Sequence, residues 1–135
     1  MDELTGSWRL LSHVAVNQAT GERTNPFGAS PSGSLMVHDG RMIVVITPED
    51  RGGGAPVIAY AGRISVRGDG RLATAVEVAS VPQWVGGEQV RGWRRDGDRL
   101  ELTTPPGVPP GGEHPVIAVL TWLRADAVAG GGASD

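Results

Sequence analysis

Three short turn motifs, Asp39-Gly40, Gly68-Asp69-Gly70 and Asp96-Gly97, each stand between two runs in which apolar and polar residues alternate. Asp and Gly at such places accept the positive φ that a tight turn demands, and a period of two is that of a strand with one face buried. Helical periodicity is scarce. The pattern therefore commits the chain to antiparallel hairpins, and it leaves open only how the resulting sheet packs.

In order, the first strand places Trp8, Leu10, Ser12, Val14 and Val16 on one face and Arg9, Leu11, His13 and Ala15 on the other. A turn at Asn25-Pro26-Phe27-Gly28 carries one aromatic plug. Strands over 34–38 and 41–47 flank Asp39-Gly40, and the Gly-rich stretch 48–56 is a loop. Strands over 57–66 and 71–80 flank the second turn, and 81–87 is a long connection carrying Pro82 and Trp84. Strands over 88–95 and 99–104 enclose the third turn, 105–115 is a Pro/Gly-rich rim loop, and 116–124 is the last strand. This gives one domain over 1–126 and a disordered tail over 127–135. Eight short antiparallel strands form a sandwich or an up-and-down barrel. Closure is favoured, because it removes the exposed edges of a long meander, and an eight-stranded barrel has room for a small ligand.

Composition excludes several kinds of chemistry. The 135 residues are enough to bury roughly two-thirds of the extended chain's surface. No Cys is present, which removes disulfides, thiolate nucleophiles and thiolate metal sites, and all twelve basic residues are Arg, so no Schiff-base lysine exists. Net charge is −3 and the arginines form no basic stripe, so no nucleic-acid partner is expected. Arg91, Arg94, Arg95 and Arg99 cluster with Asp96 and Asp98 as a solvated hairpin tip. No apolar run approaches the ~20 residues of a membrane span and no leader precedes the first strand, so the expectation is a cytoplasmic protein without a membrane partner, monomeric or homodimeric. No two of His13, His38 and His114 share a metal-like spacing, and neither metal nor cofactor is expected. The Gly-x-Ser-x-Gly elbow, the phosphate-binding Gly loop and the dinucleotide fingerprint are missing; Gly52-Gly53-Gly54 precedes no helix.

The ordered set Gly6-Ser7-Trp8-Arg9-Leu10, Pro26-Phe27-Gly28, Tyr60-Ala61-Gly62-Arg63, Val76-Glu77-Val78, Pro82-Gln83-Trp84-Val85-Gly86, Gln89-Val90-Arg91, Asp96-Gly97-Asp98-Arg99-Leu100 and Trp122-Leu123-Arg124 resembles the bacterial and fungal lipocalin-like domain family from about Leu4 to Arg124. The resemblance implies a small barrel with a ligand cavity, in which the Trp of the Gly-x-Trp string packs at the closed end and a late Arg lies across it. Trp8 and Arg124 match those positions. Relatives often carry His just before the Val-Glu-Val segment, whereas Thr74 and Ala75 stand here.

Register suggests what lines the cavity. With Asp96-Gly97 as a two-residue turn, Trp93 lies opposite Leu100 and Arg91 opposite Leu102, and the alternation of the two leucines with Glu101 and Thr103 makes theirs the inner face. An interior Arg requires an anion or several acceptors. Glu77 is the internal candidate if it faces inward; the alternation of Leu72, Thr74, Val76 and Val78 would instead turn it outward. Tyr60 shares an apolar face with Ile58, Gly62 and Ile64, either as a core phenol bonded to a neighbouring strand or as a group that holds a ligand oxygen. Trp84 caps a ligand or covers the barrel mouth, and Trp122 joins Trp8 in the core. The expected site therefore has Glu77, Arg91 and Tyr60 as catalytic groups and Trp93, Trp84, Leu100, Leu102, Trp122, Met42 and Val44 as ligand-binding wall.

Such a toolkit works by shape, hydrogen bonding and acid–base assistance. It fits a cofactor-free cyclase or isomerase acting on a polyketide- or terpenoid-like intermediate, or a non-catalytic carrier of a small hydrophobic ligand. An inward Glu77 near Arg91 or Tyr60 favours the enzyme, and a wholly apolar lining favours the carrier. Haem binding ranks last, because it needs an inward His and none is well placed.

Overall fold

A computed structural model describes residues 3–50, 57–108 and 113–125; Gly52-Gly53-Gly54 and the tail expected over 127–135 lie outside the described residues. The strands are β1 (Gly6–Asn17), β2 (Arg23–Thr24), β3 (Ser32–His38), β4 (Arg41–Thr47), β5 (Ile58–Arg67), β6 (Arg71–Ala79), β7 (Glu88–Asp96), β8 (Arg99–Thr103) and β9 (Val116–Arg124). All pairings are antiparallel, in the order β2-β1-β3-β4-β5-β6-β7-β8-β9, and β1 pairs with β9 as well. The last contact closes the sheet into an eight-stranded barrel, with the two-residue β2 added along the second half of β1. Trp8 faces Arg124 and Asn17 faces Val116 across the closure, so the two ends of the chain meet as the sequence implies. Among the described residues no helix is long and apolar enough to cross a membrane.

Turn chemistry sets the registers. His38 pairs with Arg41 around Asp39 (φ 55°) and Gly40 (φ 74°), the two successive positive φ values of a type I′ hairpin. The third hairpin differs from expectation. Asp96 pairs with Arg99, so the central residues are Gly97 and Asp98, and only Gly97 (φ 62°) is left-handed, as a glycine-first turn of type II′ requires. Trp93 consequently faces Leu102 rather than Leu100. The pairing moves by two residues, so Arg91, Trp93, Leu100 and Leu102 keep one common face.

Two bulges redirect side chains. Between Leu10 and Ser12, β1 gains a residue against β9, and the buried positions pass from Trp8 and Leu10 to His13. The expectation that His13 lies opposite Trp8 is thereby corrected: both face the interior. In β6, Ala61 pairs with Val78 and Gly62 with Val76, leaving Glu77 as the extra residue. Glu77 and Val78 both turn outward, Val78 being 62% exposed, while Val76 stays in the core.

The core fills the barrel from its closed end. Trp8 and Trp122 are fully buried, with Leu4, Leu35 and Leu100 among their neighbours in one apolar cluster. The Trp8 indole donates to the Leu4 carbonyl at 3.0 Å, which holds the leading segment beneath the barrel. The Arg124 guanidinium carbon lies 4.8 Å from the Trp8 ring centroid and that of Arg95 5.5 Å. Arg95 also donates to the Glu3 carbonyl at 2.6 Å and the Gly97 carbonyl at 2.9 Å, so it fastens the β7–β8 turn to the leading segment instead of being solvated at a hairpin tip.

Candidate functional site: the barrel lumen

Towards the other end the inward side chains no longer meet, and a cavity of about 170 Å³ remains. Its apolar wall is made by Met42, Val44 and Ile46 of β4, Ile58 of β5, Leu102 of β8 and Leu120 of β9. Each projects inward because the strand period brings every second residue to that face. Six further residues that carry polar atoms, His13, Tyr60, Trp84, Arg91, Thr104 and Trp122, complete the lining.

Trp84 is placed by a short 3₁₀ turn, Pro82–Trp84, that follows β6. Val76 accepts from the Gly86 amide at 2.9 Å and donates to the Gly87 carbonyl at 2.9 Å, which ties the connection to the barrel wall. The indole meets the Tyr60 ring edge-on, with centroids 5.9 Å apart at 88°. Tyr60 is buried, and burial raises its phenol above the ordinary range, against the opposing pull of the Arg91 charge. At neutral pH it is a neutral hydroxyl.

Arg91 is half-buried. Its guanidinium donates to the Val90 carbonyl at 2.9 Å and to the Gln89 side-chain oxygen at 2.8 Å. Both acceptors are neutral. Glu77, expected as the inward counter-charge, is on the exterior, where it forms ion pairs with Arg41 and, at 4.0 Å, with Arg63. Those cations hold its carboxyl below the usual range. The alternation of Leu72, Thr74 and Val76 into the core is the reason, and the expectation of an inward Glu77 is corrected accordingly; the bulge that follows turns Val78 outward as well.

His13 is the residue that sequence reasoning missed. It is 9% exposed, stacks on Phe27 at 4.7 Å between centroids, and leaves Nδ1 buried without a hydrogen-bond partner. Phe27 is brought there by the turn at Asn25, whose carbonyl accepts from Gly28, and by the Glu49 amide, which donates to the Phe27 carbonyl at 2.9 Å. The adjacent apolar pair Leu10-Leu11, which breaks the strict alternation just where β1 bulges, was the available signal. Burial lowers the imidazole pKa below 6.5, with a weaker opposite pull from its own backbone. His13 is therefore neutral at pH 7.

A consequence for stability follows. Above the unfolded-state value of 6.5 both states hold a neutral His13; as pH falls through that value the unfolded chain takes up a proton that the folded chain does not, so stability falls with pH. Urea midpoints measured between pH 7 and pH 5 should decline, and His13→Phe should remove part of the slope. An unchanged slope in the variant would contradict the burial of a neutral imidazole.

Of the expected wall, Trp84, Leu102, Trp122, Met42 and Val44 line the cavity together with Tyr60 and Arg91. Leu100 and Trp93 share the inward face but do not line it. Leu100 is fully buried in the core, and Trp93 packs against the core with its indole Nε1 buried and unpartnered. An inward histidine does exist, which corrects the premise on which haem was set aside; a porphyrin is nonetheless far larger than 170 Å³, a volume close to that of a cavity which accepts benzene. Among the described residues no three His, Asp or Glu side chains gather in a way that could hold a metal ion. A shallower hollow on the exterior, between Ile43, Ala59, Ala61 and Val78, is open to solvent and almost wholly apolar.

No curated protein matches the chain. Residues 53–125 match the family described as Lipocalin-like domain. The match spans β5 to β9 and so includes Tyr60, Trp84, Arg91, Leu102, Leu120 and Trp122, while β1 and β4 complete the lumen from outside it. Over half of the sequence, together with the closed antiparallel barrel, places this chain in the lipocalin-like domain family.

Proposed function

We propose that the lumen binds a small, largely apolar molecule that carries oxygen. The observation that supports this reading most strongly is an aliphatic wall on which a few polar groups converge, Tyr60 and Arg91 from one side and His13 and Trp122 from the other. Burial of the apolar body supplies affinity and the polar groups fix orientation. Methyl benzoate is a suitable neutral probe, because its single ring matches the cavity. It should bind saturably at one site by isothermal titration. Val44→Phe, which fills the lumen, should abolish the heat, whereas Glu77→Gln on the exterior should leave affinity unchanged. Equal binding to the Val44→Phe variant, or none to the parent, would refute lumenal binding.

A second reading, a cofactor-free isomerase or cyclase acting on a polyketide- or terpenoid-like intermediate, keeps support despite the loss of Glu77. His13 is a neutral imidazole in the same lumen as Arg91, and that combination suits moving a proton while balancing a developing oxyanion. Only the ring-sized reacting end of such a substrate would be enclosed. A carrier makes no demand for polar groups in the wall. Deuterium from solvent appearing in the bound ligand with the parent protein, and not with His13→Phe, would favour the enzyme; exchange equal to the uncatalysed rate would favour carriage.

A further inference from the structure

We infer that the ligand is a ring-sized organic acid, its anionic oxygen set against Arg91 and a second oxygen reaching the wall formed by His13 and Trp122. This rests on the lumenal binding proposed above and names the chemical class of the occupant.

Charge carries the first part. Arg41, Arg63, Arg67, Arg71 and Arg94 on the exterior each have a carboxylate within 4.0 Å. Arg91, half-buried beside an aliphatic wall, has none within that distance among the described residues, and its two acceptors are a carbonyl and an amide oxygen. A cation withdrawn from water without a counter-charge is costly, and an anion that enters the cavity relieves that cost. The neutral Tyr60 hydroxyl belongs to the same side of the lining and can donate to the same oxygen.

Unmet hydrogen bonds carry the second part. Buried polar atoms nearly always have partners, yet His13 Nδ1 and Trp122 Nε1 have none, and both side chains line the cavity. The register puts His13 opposite Leu120, one inward position along β9 from Trp122, so the two are neighbours on one wall. The indole N–H can only donate, so a ligand oxygen that the wall shifts to admit would satisfy it. Volume supplies the third part, since about 170 Å³ admits one substituted six-membered ring and little more.

Benzoate, 4-hydroxybenzoate and methyl benzoate separate these terms by titration at pH 7.5. Benzoate should bind about tenfold tighter than methyl benzoate, as a hydrogen bond to a charged group implies. Arg91→Gln and Arg91→Leu should both erase that preference, reducing benzoate to the affinity each variant shows for methyl benzoate. 4-Hydroxybenzoate should gain a further several-fold over benzoate, and His13→Phe should cancel the gain. Equal affinity for benzoate and its ester, or an acid preference that survives both Arg91 variants, would overturn the assignment of an acid while leaving lumenal binding intact. A missing hydroxyl gain would overturn the role of the His13–Trp122 wall alone. Failure of all three probes to bind would sink the lumenal reading itself.

Discussion

Trp8→Ala should destabilise the fold by about 3–5 kcal/mol, the range for truncating a large buried aromatic, and should lower the melting temperature by about 10–20 °C. Trp8 is 1% exposed, anchors the leading segment through the Leu4 carbonyl, and lies under the guanidiniums of Arg95 and Arg124. It also stands in β1 at the place where that strand is held between β3 and β9, opposite Leu35 and Arg124. Truncation would therefore leave a void at the point of closure as well as remove a core ring. Trp8→Phe keeps an aromatic face for the two arginines but loses the bond to Leu4, and should fall between the two. A loss below about 1 kcal/mol for Trp8→Ala in chemical denaturation would show that closure does not depend on this residue.

Gly62→Ala should be comparably severe, about 3 kcal/mol or more, for a different reason. A Cβ on Gly62 would stand 1.8 Å from the Ala75 carbonyl oxygen and 2.8 Å from its carbon, both backbone atoms that cannot swing aside. The approach is close because β6 bulges beside it, so separating the strands enough to admit a methyl would disturb that bulge and the pairing on either side of it. Gly68→Ala is the matched control, since nothing lies within 4 Å of a Cβ placed there. It should change stability by no more than about 1 kcal/mol, in the stabilising direction if the unfolded chain loses freedom. Similar losses in both variants would mean that general glycine flexibility, not this contact, is being measured.

These two residues also mark where the sequence was and was not legible. The hairpins around Asp39-Gly40 and Gly68-Asp69-Gly70 and the Phe27 plug follow from short-range signals, because turn chemistry and period-two alternation act over a few residues, whereas the meeting of Trp8 with Arg124 was implied by the family resemblance. The bulges leave weaker traces. A single inserted residue reverses every side chain beyond it, and its cause is the fit between two paired strands rather than a local residue preference, as with β5 and β6 at Gly62 or β1 and β9 at Leu11. His13 faces in for that reason, although it was expected outside; Glu77, a candidate for the interior, follows instead the alternation of Leu72, Thr74 and Val76 and pairs with Arg41 on the exterior. The third turn shows the opposite case. Its central residues fall one position later than expected, yet the resulting shift of two residues leaves Arg91 on the inward face.

The proposed site depends on the bulge in β1 and on the regular alternation of β6. The bulge in β1 delivers the unpartnered imidazole to one wall, and the alternation of Leu72, Thr74 and Val76 in β6 keeps the Glu77 carboxylate outside, away from Arg91. A lumen with an unneutralised cation at one side and unmet hydrogen bonds at the other is disposed towards a polar-ended occupant rather than a plain hydrocarbon.

Nuclear Overhauser contacts between methyl benzoate and the methyl groups of the protein distinguish the interior from the exterior directly. Contacts to Val44, Ile46, Ile58, Leu102 and Leu120, saturating at one equivalent, are expected if the barrel is hollow and receives its ligand there. Contacts confined to Ile43 and Val78 on the outer hollow, or no saturable contacts at all, would contradict it.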